Sequence, residues 1–242
     1  MPLTPPPRLS FRLFALRGLA LVVGCWGLFW GLANVARGQV NDDFRDTESR
    51  LLRFETFSRA ASIAILESAA ADDPGPCDNR AQRALMLVEI PIADAALRSG
   101  AVQEFDQRIR SLEDRARQTL GCTPRDSLVW LLLFGLETEH GMLNEHSFDL
   151  LAMSYETSPN EAWIATRRII VAIPVLRVAP EPLQQKVLTE FEGLIRRGFV
   201  ETPARSYLDA SASTRSLLQS RIDQLDPRSR AYFSDALRKL SS

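Results

Sequence analysis

Both histidines of the chain fall in one short stretch, Glu137-Thr-Glu139-His140-Gly-Met-Leu-Asn-Glu145-His146. Imidazole and carboxylate are the ligand types of a catalytic zinc, which takes three protein groups and keeps one position for water. Glu137 and His140 are three residues apart and share a helix face, and His146 returns from the following helix. A metal-dependent hydrolase centred on Glu137, His140 and His146 is therefore the one enzymatic reading the residue types support. The same residues sit at an inter-helix turn, where polar side chains are ordinary. No Gly-x-Ser-x-Gly elbow, phosphate loop or dinucleotide glycine pattern accompanies them, and many of the glycines gather near the N-terminus. The expectation is a protein that is not an enzyme, with no cofactor and with these three residues as its only metal candidates.

A second stretch, from Ser154 to Trp163, combines Tyr155, Glu156, Asn160 and Glu161 around Pro159. Its types suit a peptide or ligand contact, and equally a helix end, a proline turn and an N-cap followed by a core indole. Arg167 and Arg168 follow on the next helix and could meet an anionic sugar or a partner's acid if one shared a groove with Trp163. Trp130, Tyr155, Trp163 and Arg167 are the candidate contact residues of the soluble part. Of its cysteines, Cys77 and Cys122 each lie near a proline at a helix boundary. They are the candidate disulfide, with two small buried thiols as the competing reading.

These side chains need a compartment, and the N-terminus supplies one. Gly18 to Ala36 is nineteen residues without a charge between Arg17 and Arg37. As a helix it is roughly 28 Å long, the thickness of a bilayer's hydrocarbon core. Arg8, Arg12 and Arg17 precede it, while Arg37 is followed by Asp42, Asp43 and Asp46. That bias places residues 1–17 in the cytoplasm, 18–36 in a bacterial inner membrane and 38–242 in the periplasm. An oxidising exterior is where a Cys77 to Cys122 bridge belongs. Cleavage after Ala33-Asn-Val-Ala36 fits poorly, because Asn34 stands where a small neutral residue is wanted. Val22-Val23-Gly24-Cys25 resembles a lipobox, but the apolar run continues through Trp30. Gly27 and Gly31 form a small-xxx-small pair open to another helix, and Trp26 and Trp30 share one face.

From residue 38 onward the apolar positions recur at three- and four-residue steps, and no stretch reads as a strand. Helices are expected over about 42–71, 80–99 with a bend or split at Pro91, 102–120, 128–136 with Asp126 or Ser127 as its N-cap, 144–157, 163–173 and 181–197. Shorter ones follow at 203–209, 211–225 and from Pro227. Trp130, Leu133, Gly141 and Pro159 are followed by a restart at Trp163, an order that resembles the tetratricopeptide repeat. Gly135 comes late for that pattern, Pro159 is one residue off register, and His146 stands where a small residue is expected. The resemblance covers 124–197 and implies an all-α, degenerate helical-hairpin domain with a protein-binding surface.

The net charge of −1 comes from interspersed acids and bases, which removes the basic face a nucleic-acid partner would need. Only Lys186 and Lys239 among 29 basic residues are lysine. The reading is a membrane-anchored periplasmic scaffold or accessory subunit with inner-membrane or periplasmic protein partners, in a cell-envelope or polysaccharide assembly system. A structural subunit that associates through Gly27 and Gly31 is the third reading.

Overall fold

The computed structural model describes residues 9–53, 55–72, 74–139, 141 and 143–241, without the side chains of 9–15, 33–43 and 71–72. The described residues form eleven helices and no strand. α1 (Leu9–Leu52) is a single helix of 44 residues. From Leu16 to Leu32 its apolar side chains are uncovered on every side, with Leu21, Trp26, Phe29 and Leu32 at 69–73% exposure. Among the described residues no helix is long and apolar enough to cross a membrane. The expected span Gly18–Ala36 lies partly outside them, since the side chains of 33–36 are not described.

At Phe44 the same helix enters the domain, where Phe44 packs with Ala69, Ala81, Ala84 and Leu85. The expected single helix over 42–71 is divided: α1 stops at Leu52 and α2 (Arg59–Asp72) begins after an irregular link. Polar contacts within the link explain the stop. Arg50 Nε donates to Glu55 Oε2 at 2.9 Å, the Arg50 guanidinium lies 4.6 Å from the Phe57 ring centre, and Ser58 Oγ accepts the Ala61 N–H at 3.2 Å. Ser58 is thus an N-cap inside what the apolar pattern reads as a continuous helix.

Three hairpins follow. α3 (Asn79–Arg98) starts on the Asp78 cap and returns through Gly100, at φ 74°, into α4 (Val102–Cys122). Pro91 does not divide α3, and its exposed ring leaves the buried face of the helix intact. α5 (Ser127–Glu139) turns at Gly141, φ 68°, into α6 (Glu145–Thr157), whose Asn144 and Ser147 form a reciprocal capping box. α7 (Ala162–Val175) carries Pro174 in its last turn and leads to α8 (Glu181–Arg196), which ends before Gly198 at φ 86°. α9 (Glu201–Asp209), α10 (Ala212–Ile222, capped by Ser211) and α11 (Pro227–Ser241) close the stack.

Each hairpin packs internally and on its successor: α4 against α5, α5 against α7, α6 against α8 and α7 against α9. This packing is compatible with a helical repeat. One apolar core runs from Met86 to Phe233, with Phe134 against Phe148 and Phe191 edge-on to Phe233. Cys77 and Cys122 are joined in a disulfide with their Cα atoms 5.2 Å apart, tying the approach to α3 to the end of α4. Phe134 is wholly buried in that core. Phe134→Ala is expected to cost about 3–5 kcal/mol, read as a lower denaturation midpoint with unchanged helix content in the native baseline.

Candidate functional site

The buried stripe of α7 reads Ile164, Ala165, Arg168, Ile169, Ala172, Ile173, so a guanidinium occupies a core position. Arg168 is fully buried, and only a dense set of acceptors makes that tolerable. Its Nε and Nη2 reach Glu190 Oε1 at 3.0 and 2.5 Å, Nη1 donates to the Ser154 carbonyl at 2.8 Å, and Nη2 donates to the Ser158 carbonyl at 3.0 Å. The guanidinium stacks 4.4 Å from the Tyr155 ring centre, and the Tyr155 hydroxyl donates to Glu190 Oε2 at 2.9 Å. One side chain thereby ties the last turn of α6, the α6–α7 link, α7 and α8. Burial pushes the Glu190 carboxyl up, against the opposing bonds and charge of Arg168. Burial, then the Glu190 charge, holds the Tyr155 hydroxyl well above its ordinary value. With these bonds made, the group holds α6, α7 and α8 in position.

The four contact candidates are not brought to one site. Tyr155 is buried in the Arg168 cluster and lines an open cleft of about 570 Å³ with Lys186 and Arg197. Trp130 and Trp163 are half-buried, and each clamps the chain entering its own helix: Trp130 Nε1 donates to the Pro124 carbonyl at 2.8 Å, and Trp163 Nε1 to Glu161 Oε2 at 2.6 Å. The repeat-like spacing of the two indoles thus corresponds to a shared local role at the hairpin entrance. Arg167 Nη2 donates to the Leu51 carbonyl at 2.6 Å, beside an apolar groove, and burial lowers its pKa.

Glu137 Oε1 lies 3.6 Å from His146 Nε2, an ion pair across the α5–α6 turn when the imidazole is protonated. His140 lies outside the described residues. Among the described residues no group of three or more His, Cys, Asp or Glu converges as a metal site would require. A Cβ built at Gly27 or Gly31 meets nothing, so that face of α1 is open.

A second charged cluster joins α1 to the hairpins. Arg83 Nε on α3 lies 3.0 Å from Glu48 Oε1 on α1 and 3.6 Å from Asp126 Oδ2, while Arg80 Nε is 3.7 Å from Glu48 Oε2. The 3.0 Å contact is an ion pair too poorly aligned for a hydrogen bond. Asp126 Oδ1 caps α5 by accepting the Leu128 and Val129 N–H groups at 3.2 and 3.3 Å. Burial pushes both carboxyls up, and the Arg83 charge opposes it. Asp126 is legible in the sequence as an N-cap, but Glu48 looks like any surface acid. For Arg168 and Glu190 a signal existed: each falls in an apolar helical stripe, 164-168-172 and 183-187-190-194.

Compared with known protein families, curated proteins and solved structures, the chain matches none.

Glu48, Glu89, Asp126 and Glu190 all have folded-state pKa values raised by burial. A raised value means the native state binds protons more tightly than the unfolded chain. Stability therefore rises as pH falls from neutral, is fully present below the unfolded carboxylate value, and is lost again as pH climbs through the raised values. Exposed Asp226 is shifted the other way and offsets little. A higher Tm at about pH 5 than at about pH 7.5 is the expected result. Arg168→Met strands the Glu190 charge and is expected to cost about 3–5 kcal/mol at neutral pH, with the loss shrinking on acidification.

Proposed function

We propose that the chain is a membrane-anchored periplasmic scaffold of the bacterial inner membrane. It holds a partner protein as an accessory subunit of a cell-envelope or polysaccharide assembly system. The observation that carries the reading is α1. Its N-terminal half presents leucine, valine, phenylalanine and tryptophan on all sides, a surface that costs free energy in water and none in lipid. Its C-terminal half is locked into the domain by Phe44 and by the Glu48 to Arg83 pair. Such a helix sets the domain at a fixed attitude to the membrane.

Two further features support a binding rather than a catalytic role. The hairpins resemble a degenerate tetratricopeptide array, and the first helices of three successive hairpins, α3, α5 and α7, frame an apolar groove of about 400 Å³. Leu87, Ile90, Leu132, Leu136, Ile170 and Val171 line it, which suits the apolar face of a partner helix. The Cys77–Cys122 bridge belongs to an oxidising compartment.

Membranes from cells expressing the full chain provide the test. The protein is expected to stay in the pellet through an alkaline wash, and Cys77 and Cys122 are expected to resist alkylation until reduced. Crosslinked pull-down is expected to recover envelope-assembly proteins. Release by the alkaline wash, or freely alkylated Cys77 and Cys122 in cells, would overturn the anchored periplasmic reading. Replacing Gly27 and Gly31 with leucine is expected to leave partner capture intact; loss of capture would instead favour a structural subunit that associates through its membrane helix.

A further inference from the structure

We infer that the cleft between the start of α3, the N-terminus of α5 and the α6–α7 link is a binding site for a neutral saccharide. It encloses about 460 Å³, within the roughly 300–1,000 Å³ of small-molecule sites. Arg83 and Arg125 on its walls are matched by Asp126 and Glu161, so the cleft favours neither an anion nor a cation. Among the described residues Trp163 is the one aromatic ring on the wall, and its Nε1–H is committed to Glu161 at 2.6 Å, which restrains the indole. A restrained indole offers an apolar face to the C–H side of a sugar ring.

The unmade bonds point the same way. Asp126 and Ser158 are 8% and 4% exposed, and Asp126 Oδ2 and Ser158 Oγ are buried without a hydrogen bond. Asp126 Oδ2 has only the Arg83 charge 3.6 Å away and no hydrogen bond, and the Ser158 hydroxyl has no partner in the free protein. The capping of α5 is done by Asp126 Oδ1, and Arg168 is held by the Ser158 carbonyl and not by its hydroxyl. Leaving such atoms unpaired costs stability, and a ligand that pairs them recovers it. The carboxylate oxygen only accepts, whereas the serine hydroxyl donates or accepts, and a sugar hydroxyl complements both. Ser158 lines the cleft, and no hydrogen bond holds its hydroxyl in one rotamer. The site stands on this cleft alone and does not rest on the membrane reading.

Saturation-transfer NMR on the full chain in detergent, with maltose, cellobiose and N,N′-diacetylchitobiose as probes and glucuronate as the anionic control, tests the site. Transfer to at least one neutral disaccharide is expected, with little to glucuronate. Ser158→Ala is expected to weaken that binding about fivefold, the worth of one hydrogen bond, without lowering the unfolding midpoint, because the hydroxyl makes no bond in the free protein. Trp163→Leu is expected to abolish binding. The inference is overturned by no transfer to any of the three disaccharides, by transfer unchanged in Ser158→Ala, or by glucuronate binding as well as the neutral sugars.

Discussion

A single guanidinium, Arg83, stands between Glu48 of the long first helix and Asp126 at the cap of α5, and the relation of that helix to the hairpins depends on it. Removing three charged side chains from water carries a desolvation penalty that their mutual attraction offsets only when all three are in place. Arg83 is one-fifth exposed and the two acids are almost covered, so the cluster is strong enough to orient helices yet wet enough to be tolerated. Were α1 to swing away, Glu48 would leave Arg83 with only the more distant Asp126, and Phe44 would leave its alanine-lined seat. The domain-side half of α1 and the first hairpins therefore behave as one body.

Arg168 repeats the same physics deeper in the stack. Apolar helices pack at several similar angles, and packing alone discriminates weakly among them. A buried guanidinium with two backbone carbonyls, one carboxylate and one tyrosine ring as partners accepts one arrangement only. The cluster thus sets how α6, α7 and α8 sit together, and the cleft that Trp163 lines inherits its shape from the Ser158 link that Arg168 holds. The Cys77–Cys122 bridge works at the other end, where the approach to α3 meets the end of α4.

Much of this architecture is legible in the residues. The stops at Gly100 and Gly141, the cap at Ser211 and the helix start at Pro227 all follow from local chemistry, and local chemistry survives into the fold. The break between α1 and α2 does not follow from apolar spacing, because it rests on Arg50 folding back on Glu55 and Phe57 and on the Ser58 cap. Pro91 shows the reverse error: a proline whose ring faces solvent leaves its helix undivided. Trp130, Tyr155, Trp163 and Arg167 are chemically conspicuous, but conspicuous types do not reveal which of them meet. Tyr155 goes into the core because Arg168 needs its ring, and Arg167 turns to the Leu51 carbonyl. The cleft lined by Asp126, Ser158 and Trp163 gathers residues from distant points in the chain, and no local pattern announces such a meeting.

The central claim is mechanical: the apolar, uncovered half of α1 and its domain-locked half are one uninterrupted helix, so the domain cannot reorient freely about that apolar half. Amide hydrogen exchange of the full chain in lipid nanodiscs measures this directly. The account expects continuous protection from Gly18 through Leu52, followed by a fast-exchanging stretch at the link before α2. Rapid exchange at amides between the apolar half and Phe44 would show a hinge there and contradict it.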